Sequence, residues 1–246
     1  MQKIYILFLV LSLTTSIQVN AKCIRDIIAA GLSFDSVTYN GDLNGVGLAT
    51  LASNSGIGVR SSWIIYCPKR RLELQPYIRF RRYTFDDAKT QAIWGGIEDT
   101  LNLLSLGIEA RKFKRLWGKN FEITADVELR EEQAFGIEYP ADTTQSPTIY
   151  TDRYMNLKMM GGLRYFAWHQ GKRDVTAVLK LGLVKGFDGD SKLGVIYGIS
   201  GEYYQKLGHR TSGKVDLYYD HYSQKYGEFA MGRTELGLRT NIVFRF

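Results

Sequence analysis

The chain is poor in several things that would point to well-known chemistry. Its 246 residues include two cysteines, three histidines and four prolines. Two cysteines without a neighbouring histidine pair do not make a zinc site, and no cofactor-binding motif is present, so neither a metal nor a cofactor is expected. Beyond the N-terminal segment, no apolar run approaches the roughly 18 residues of a transmembrane helix. The chain therefore either folds in water or crosses a membrane as strands. The formal charge of +7 is not arranged as a basic stripe interleaved with aromatics, which argues against a nucleic-acid partner.

What is plentiful points to sheet. Tyrosine (16), phenylalanine (12), tryptophan (4) and glycine (25) are abundant. Residues 1–21 carry one cation, Lys3, then an apolar stretch and a polar end at Val19-Asn20-Ala21. This is the layout of a secretory signal peptide, with cleavage expected after Ala21. Lys22 before Cys23 excludes a lipid-attachment signal, which wants a small residue there. Residues 22–246 remain as one all-β domain of roughly 225 residues.

Alternation of period two runs through this domain. From 121 to 130, Phe121, Ile123, Ala125, Val127 and Leu129 share one face, and Glu122, Thr124, Asp126, Glu128 and Arg130 share the other. The pattern recurs over 72–81, 174–183, 193–206 and 214–220, and more weakly over 27–39, 56–66, 102–113 and 153–167. The last segment places Leu236, Leu238, Thr240, Ile242, Phe244 and the terminal Phe246 on one face. It resembles the C-terminal strand of Gram-negative outer-membrane β-barrels. The resemblance implies an apolar face toward lipid and lipopolysaccharide, a polar lumen, and delivery to the barrel-assembly machinery through Phe246.

Such barrels have short periplasmic turns and longer external loops. Counting back from a periplasmic C-terminus puts turns near 207–212, 169–173, 114–119 and 67–71. External loops then fall near 223–230, 186–191, 131–152, 86–100 and 40–55. The expected fold is a closed antiparallel transmembrane barrel of about ten strands, both termini periplasmic. Eight strands with an N-terminal extension over 27–66 is the alternative. Cys23 and Cys67 fall on one rim in an export pathway that permits disulfides. Sequence leaves open whether they meet, and it specifies no oligomeric state.

A barrel of this size has a lumen barely wider than its own side chains. The inward positions, extended by Glu109, Arg111, Lys158, Arg164, Glu235, Arg239 and Arg245, carry both signs of charge in similar number. They are expected to pair into a salt-bridged plug.

Two enzymatic patterns deserve comparison. Omptin proteases are ten-stranded and need acidic and Asp/His pairs facing one way at the external rim. Here Asp86-Asp87 and Asp220-His221 are adjacent residues, which point to opposite faces of a strand. The last two strands also resemble lipid A 3-O-deacylases. His221 and Ser223 share the outward face, as a base beside a nucleophile should, and Glu235 follows on the next strand. That family has asparagine where Gln224 stands, and parity from Phe246 turns Glu235 into the lumen. His169 and His209 read as solvated turn residues.

The periplasmic turns are basic, with Lys69-Arg70-Arg71, Lys114-Arg115 with Lys119, Lys172-Arg173 and His209-Arg210, and suit anionic headgroups or cell-wall components. The functional expectation is a non-enzymatic barrel with a structural, adhesion or envelope-interaction role. The alternatives are an esterase acting on lipid A through His221, Ser223 and Glu235, and a narrow channel for small anions.

Overall fold

The computed structural model describes residues 23–43, 46–85, 100–116, 118–138, 148–187, 191–226 and 229–246. The segment 1–21, Asp86-Asp87 and the proline-containing part of the 131–152 segment lie outside them.

The strands are β1 (Ile24–Leu43), β2 (Val46–Ala52), β3 (Ser55–Cys67), β4 (Leu72–Thr84), β5 (Thr100–Leu116) and β6 (Lys119–Glu138). They continue as β7 (Thr148–Gln170), β8 (Arg173–Gly186), β9 (Gly194–Lys206), β10 (Thr211–Tyr226) and β11 (Phe229–Arg245). Each pairs antiparallel with its sequence neighbour from β3 to β11, and β1 pairs with β11 from Ile27↔Arg245 to Leu43↔Phe229. On its other side β1 pairs first with β2 and then with β3. The break between them falls at Ser53 and Asn54, whose amides donate to Val37 and Thr84 carbonyls, so β2 and β3 form one interrupted stave. The result is a closed antiparallel barrel of ten staves. The β1–β11 seam excludes the eight-stranded alternative, because residues 27–66 are part of the wall.

The connections at the end holding Cys23 and Phe246 are tight. Gly171 takes a positive φ of 61° in the two-residue turn between β7 and β8, a conformation that costs glycine nothing and suits a hairpin. Gly118 does the same between β5 and β6, with φ 74°. Between β3 and β4 a short 3₁₀ turn, Pro68–Arg70, ends on Arg71 in the left-handed region. Cys23 and Cys67 are joined by a disulfide on this rim, beside Ile65, Leu72 and Leu74.

The opposite ends depart from expectation. β6 and β7 stay paired out to Glu138↔Thr148, β1 and β2 to Leu43↔Val46, and β10 and β11 to Tyr226↔Phe229. Much of what alternation assigns to the 131–152, 40–55 and 223–230 loops is therefore sheet. The reason is physical. Outward residues must be apolar only where they meet lipid, whereas the hydrogen-bond ladder can continue beyond it. β6 and β7 have 20 and 23 residues, against the roughly 9–11 that cross a bilayer.

Side chains sort as parity requires. Leu32, Phe34, Val59, Phe80, Leu179, Leu181, Leu217, Leu236 and Phe244 are exposed on the outer surface, while Arg81, Arg233, Glu128, Glu132 and Glu235 are buried inside. An apolar exterior around a charged interior inverts the plan of a water-soluble protein. It is the arrangement of a barrel whose solvent is lipid.

Candidate functional site

The lumen changes character along its length. At the middle sits an ion-pair network. Glu235 on β11 accepts from Arg81 at 2.5 Å and Arg233 at 3.1 Å, with Arg130 at 3.8 Å. Glu132 pairs with both Arg130 and Arg233, and Glu128 with Lys158 at 2.9 Å. The Tyr218 hydroxyl lies between the carboxylates of Glu235 (2.8 Å) and Asp35 and donates to one of them, while Tyr222 donates to Glu132 at 2.8 Å. Arg81, Glu128 and Glu132 are at most 1% exposed. Charges so deeply buried are tolerable only because each has several partners. This is the plug that the inward charges predict.

Toward the ends of the strands away from the termini, the interior is apolar. Tyr39, Leu51, Tyr83, Leu101, Leu103, Ile196 and Met231 belong to one contiguous cluster and are at most 1% exposed. All lie within a few residues of their strand ends. This layer was not expected from sequence. Most of its members sit where polar–apolar alternation had ended, and the signal that finds them is inward parity carried past that point.

Toward the termini the lumen is charged and hollow. A vestibule of about 440 Å³ opens among Arg60, Gln75, Arg111, Arg164, Lys214 and Arg245. Arg111 pairs with Glu73 (3.2 Å) and Glu109 (3.1 Å), and Arg164 with Glu122 (3.2 Å) and Glu202. Arg239 lies 3.4 Å from Asp216 and stacks on Tyr218, 3.5 Å from the ring centroid. Arg60 is a lumen residue that the sequence reading missed. Its inward companions on β3 include Gly56, Gly58 and Ser62, which give little contrast with the outer face.

His221 and Ser223 lie on the outer face of β10, as their parity requires. Their cross-strand partners on β11 are Thr234 and Gly232. The imidazole is 2.9 Å from the Thr234 hydroxyl and packs 5.2 Å from the Tyr197 ring. Glu235 is opposite Asp220 and faces the lumen, committed to its arginines. The three residues are thus not brought together. Among the described residues, no carboxylate comes within 4.0 Å of the His221 ring. Asp220 points inward to line the lumen beside Gly198, and His221 points outward, so this Asp/His pair diverges. At the other rim His169 is exposed and pairs with Asp174, and His209 lines the vestibule mouth.

No family model matches the chain, and no curated protein matches it. Solved structures do match. The outer membrane protease OmpT from Escherichia coli superposes with a TM-score of 0.50 at 7% identity, covering 94% of this chain and all of OmpT. Looser superpositions are found with the β-domain of the Bordetella autotransporter BrkA (TM-score 0.41, 13% identity, covering 85% and 98%). The translocator domain of the Neisseria meningitidis autotransporter NalP is similar at 0.40 (10% identity, covering 96% and 92%). The OmpT match shows the fold: this chain is built as an outer-membrane β-barrel.

Proposed function

We propose that the protein is a sealed, non-enzymatic barrel of the bacterial outer membrane, with a structural, adhesion or envelope-interaction role. The observation that carries this reading is the double closure of the lumen, an apolar layer stacked on an ion-pair layer, both essentially out of contact with water. A solute would have to part both. Outer-membrane lipids and lipopolysaccharide surround the apolar face. Residues 1–21 direct export and are cleaved off in the course of it, so the mature chain begins at Lys22, and the strand ending in Phe246 serves as the assembly signal. The test is conductance: purified, folded protein in a planar bilayer should stay silent, and discrete single-channel openings would replace this reading with the anion-channel one.

A second reading rests on His221 and Ser223 sharing the outer face of β10. It makes the protein an esterase acting on lipid A, and it needs a carboxylate other than Glu235. Mass spectrometry of lipid A with and without expression checks it. Unchanged acylation is expected, and loss of an acyl chain that requires Ser223 would reverse the order of the two readings.

A further inference from the structure

The ion-pair network of the lumen is balanced at its centre and unbalanced toward the termini. Beyond the vestibule lies a smaller chamber of about 50 Å³, lined in part by Arg60, Arg79, Lys180, Tyr218 and Arg239. The two spaces share Arg60, Arg111, Lys214 and Asn241, so the chamber adjoins the vestibule.

Seven cationic side chains line the chamber against five carboxylates, and three of these, Glu109, Glu202 and Asp216, are each already shared between two or more cations. Glu109 alone serves Arg111 (3.1 Å), Lys180 (3.3 Å) and Arg60 (3.5 Å). Asp216 is shared between Lys214 and Arg239. Arg79 feels the charge of Glu128, which is held by Lys158 at 2.9 Å, and has no carboxylate of its own in contact. It is 7% exposed, its Nε has no hydrogen-bond partner, and among the described residues no carboxylate lies within 4.0 Å of its guanidinium. Its contact is the Tyr77 ring, 5.6 Å away, which also carries Arg60 at 4.0 Å. The Nε of Arg60 is likewise without a hydrogen-bond partner.

Arg60 and Arg79 stand directly opposite each other on β3 and β4, both facing inward. Like charges across a strand pair repel, and a buried guanidinium with no carboxylate in direct contact is costly. Both costs are removed by one ligand, an anion between them. Space for one is present: the chamber holds on the order of four waters, which is the oxygen count of a tetrahedral oxyanion. Guanidinium forks match such oxygens two at a time.

We propose that the chamber is a binding site for a phosphate-sized oxyanion, entered through the vestibule from the side of the termini, with Arg79 and Arg60 as its principal ligands and Arg239 completing the cradle. The group arrives either as a free ion or on a phosphomonoester whose body occupies the vestibule. The proposal goes beyond the sealed-barrel reading and stands or falls apart from it, since conductance probes the seal and titration probes the site.

The test is calorimetric titration of the folded, detergent-solubilised mature protein with inorganic phosphate and, separately, with glycerol 3-phosphate. Saturable binding of at least one is expected, weakened about tenfold or more by Arg79→Gln and by Arg60→Gln. Lys112→Gln, on the outer face of β5, should leave it unchanged. Tighter binding of the ester means the vestibule holds the ligand body, and equal binding means a site for the ion; both support the site. Should Arg79→Gln fail to fold, Arg79→Lys keeps the charge and loses the fork, and it should weaken binding severalfold. Absence of saturable binding by the wild type, or binding indifferent to Arg79 and Arg60 substitutions, overturns the proposal.

Discussion

The two halves of the lumen solve the same problem in opposite ways. Away from the termini, the interior is filled with Tyr39, Leu51, Tyr83, Leu101, Leu103 and Met231, packed as the core of a water-soluble protein would be. Toward the termini, the same wall encloses Arg60, Glu109, Arg111, Arg164 and Glu202 around open space. The apolar half gains by packing side chain against side chain out of reach of water. The charged half keeps open volume and unspent hydrogen-bonding capacity, such as the Nε groups of Arg60 and Arg79. The mid-barrel network separates them, and Glu235, with three arginines about it, is its hub. One barrel thus combines a closed face with a receptive one, which neither strand number nor net charge would reveal.

This contrast can be broken most forcefully at the hub. Glu235→Ala removes the closest carboxylate of Arg81 and one of the two that Arg233 holds, in a buried site, and is expected to cost about 3–5 kcal/mol. Denaturant unfolding followed by loss of the compact species on unheated gels measures it, and a cost under about 1 kcal/mol would mean that the layer is hydrated and not a seal. Next in size is the disulfide, which ties the rim of the charged half. With its cysteines 44 positions apart in sequence, its removal by the double change Cys23→Ser and Cys67→Ser should cost about 2–4 kcal/mol. Thiol alkylation of the non-reduced, unfolded protein should label neither cysteine. The smallest effect is expected in the hollow half. Lys180→Met, at the partly open chamber wall, should change stability by less than about 0.5 kcal/mol, and a loss as large as that of Glu235→Ala would erase the distinction between the halves.

The parts of this structure that were readable in the sequence are those where the two sides of a strand face different solvents. Between Phe121 and Arg130, lipid lies on one side and a charged lumen on the other, so each residue reports its direction. The same parity, counted from Phe246, places Glu235 inward without reference to any contact. Reading failed where the contrast vanishes. Leu101 and Leu103 point inward and are apolar, next to Leu104, which points outward and is also apolar. Gly56 and Gly58 hide the inward direction of Arg60. Of the candidate site, the outward sharing of His221 and Ser223 was legible from parity. The pairing of His221 with Thr234 was not, because it depends on the β10–β11 register. The chamber depends on side chains from strands distant in sequence, such as Arg79 and Lys180, which no local pattern joins.

The strands that outrun the lipid have a further consequence. Where β6 and β7 remain paired to Glu138 and Thr148, the exterior of the protein is carried on backbone whose hydrogen bonds are already made. A partner that engages this collar meets a surface that need not order itself on contact. The entropy that a loose loop would surrender on binding has already been spent in folding, so modest contacts suffice for recognition, and a poorly fitting partner gains nothing from the collar adapting to it.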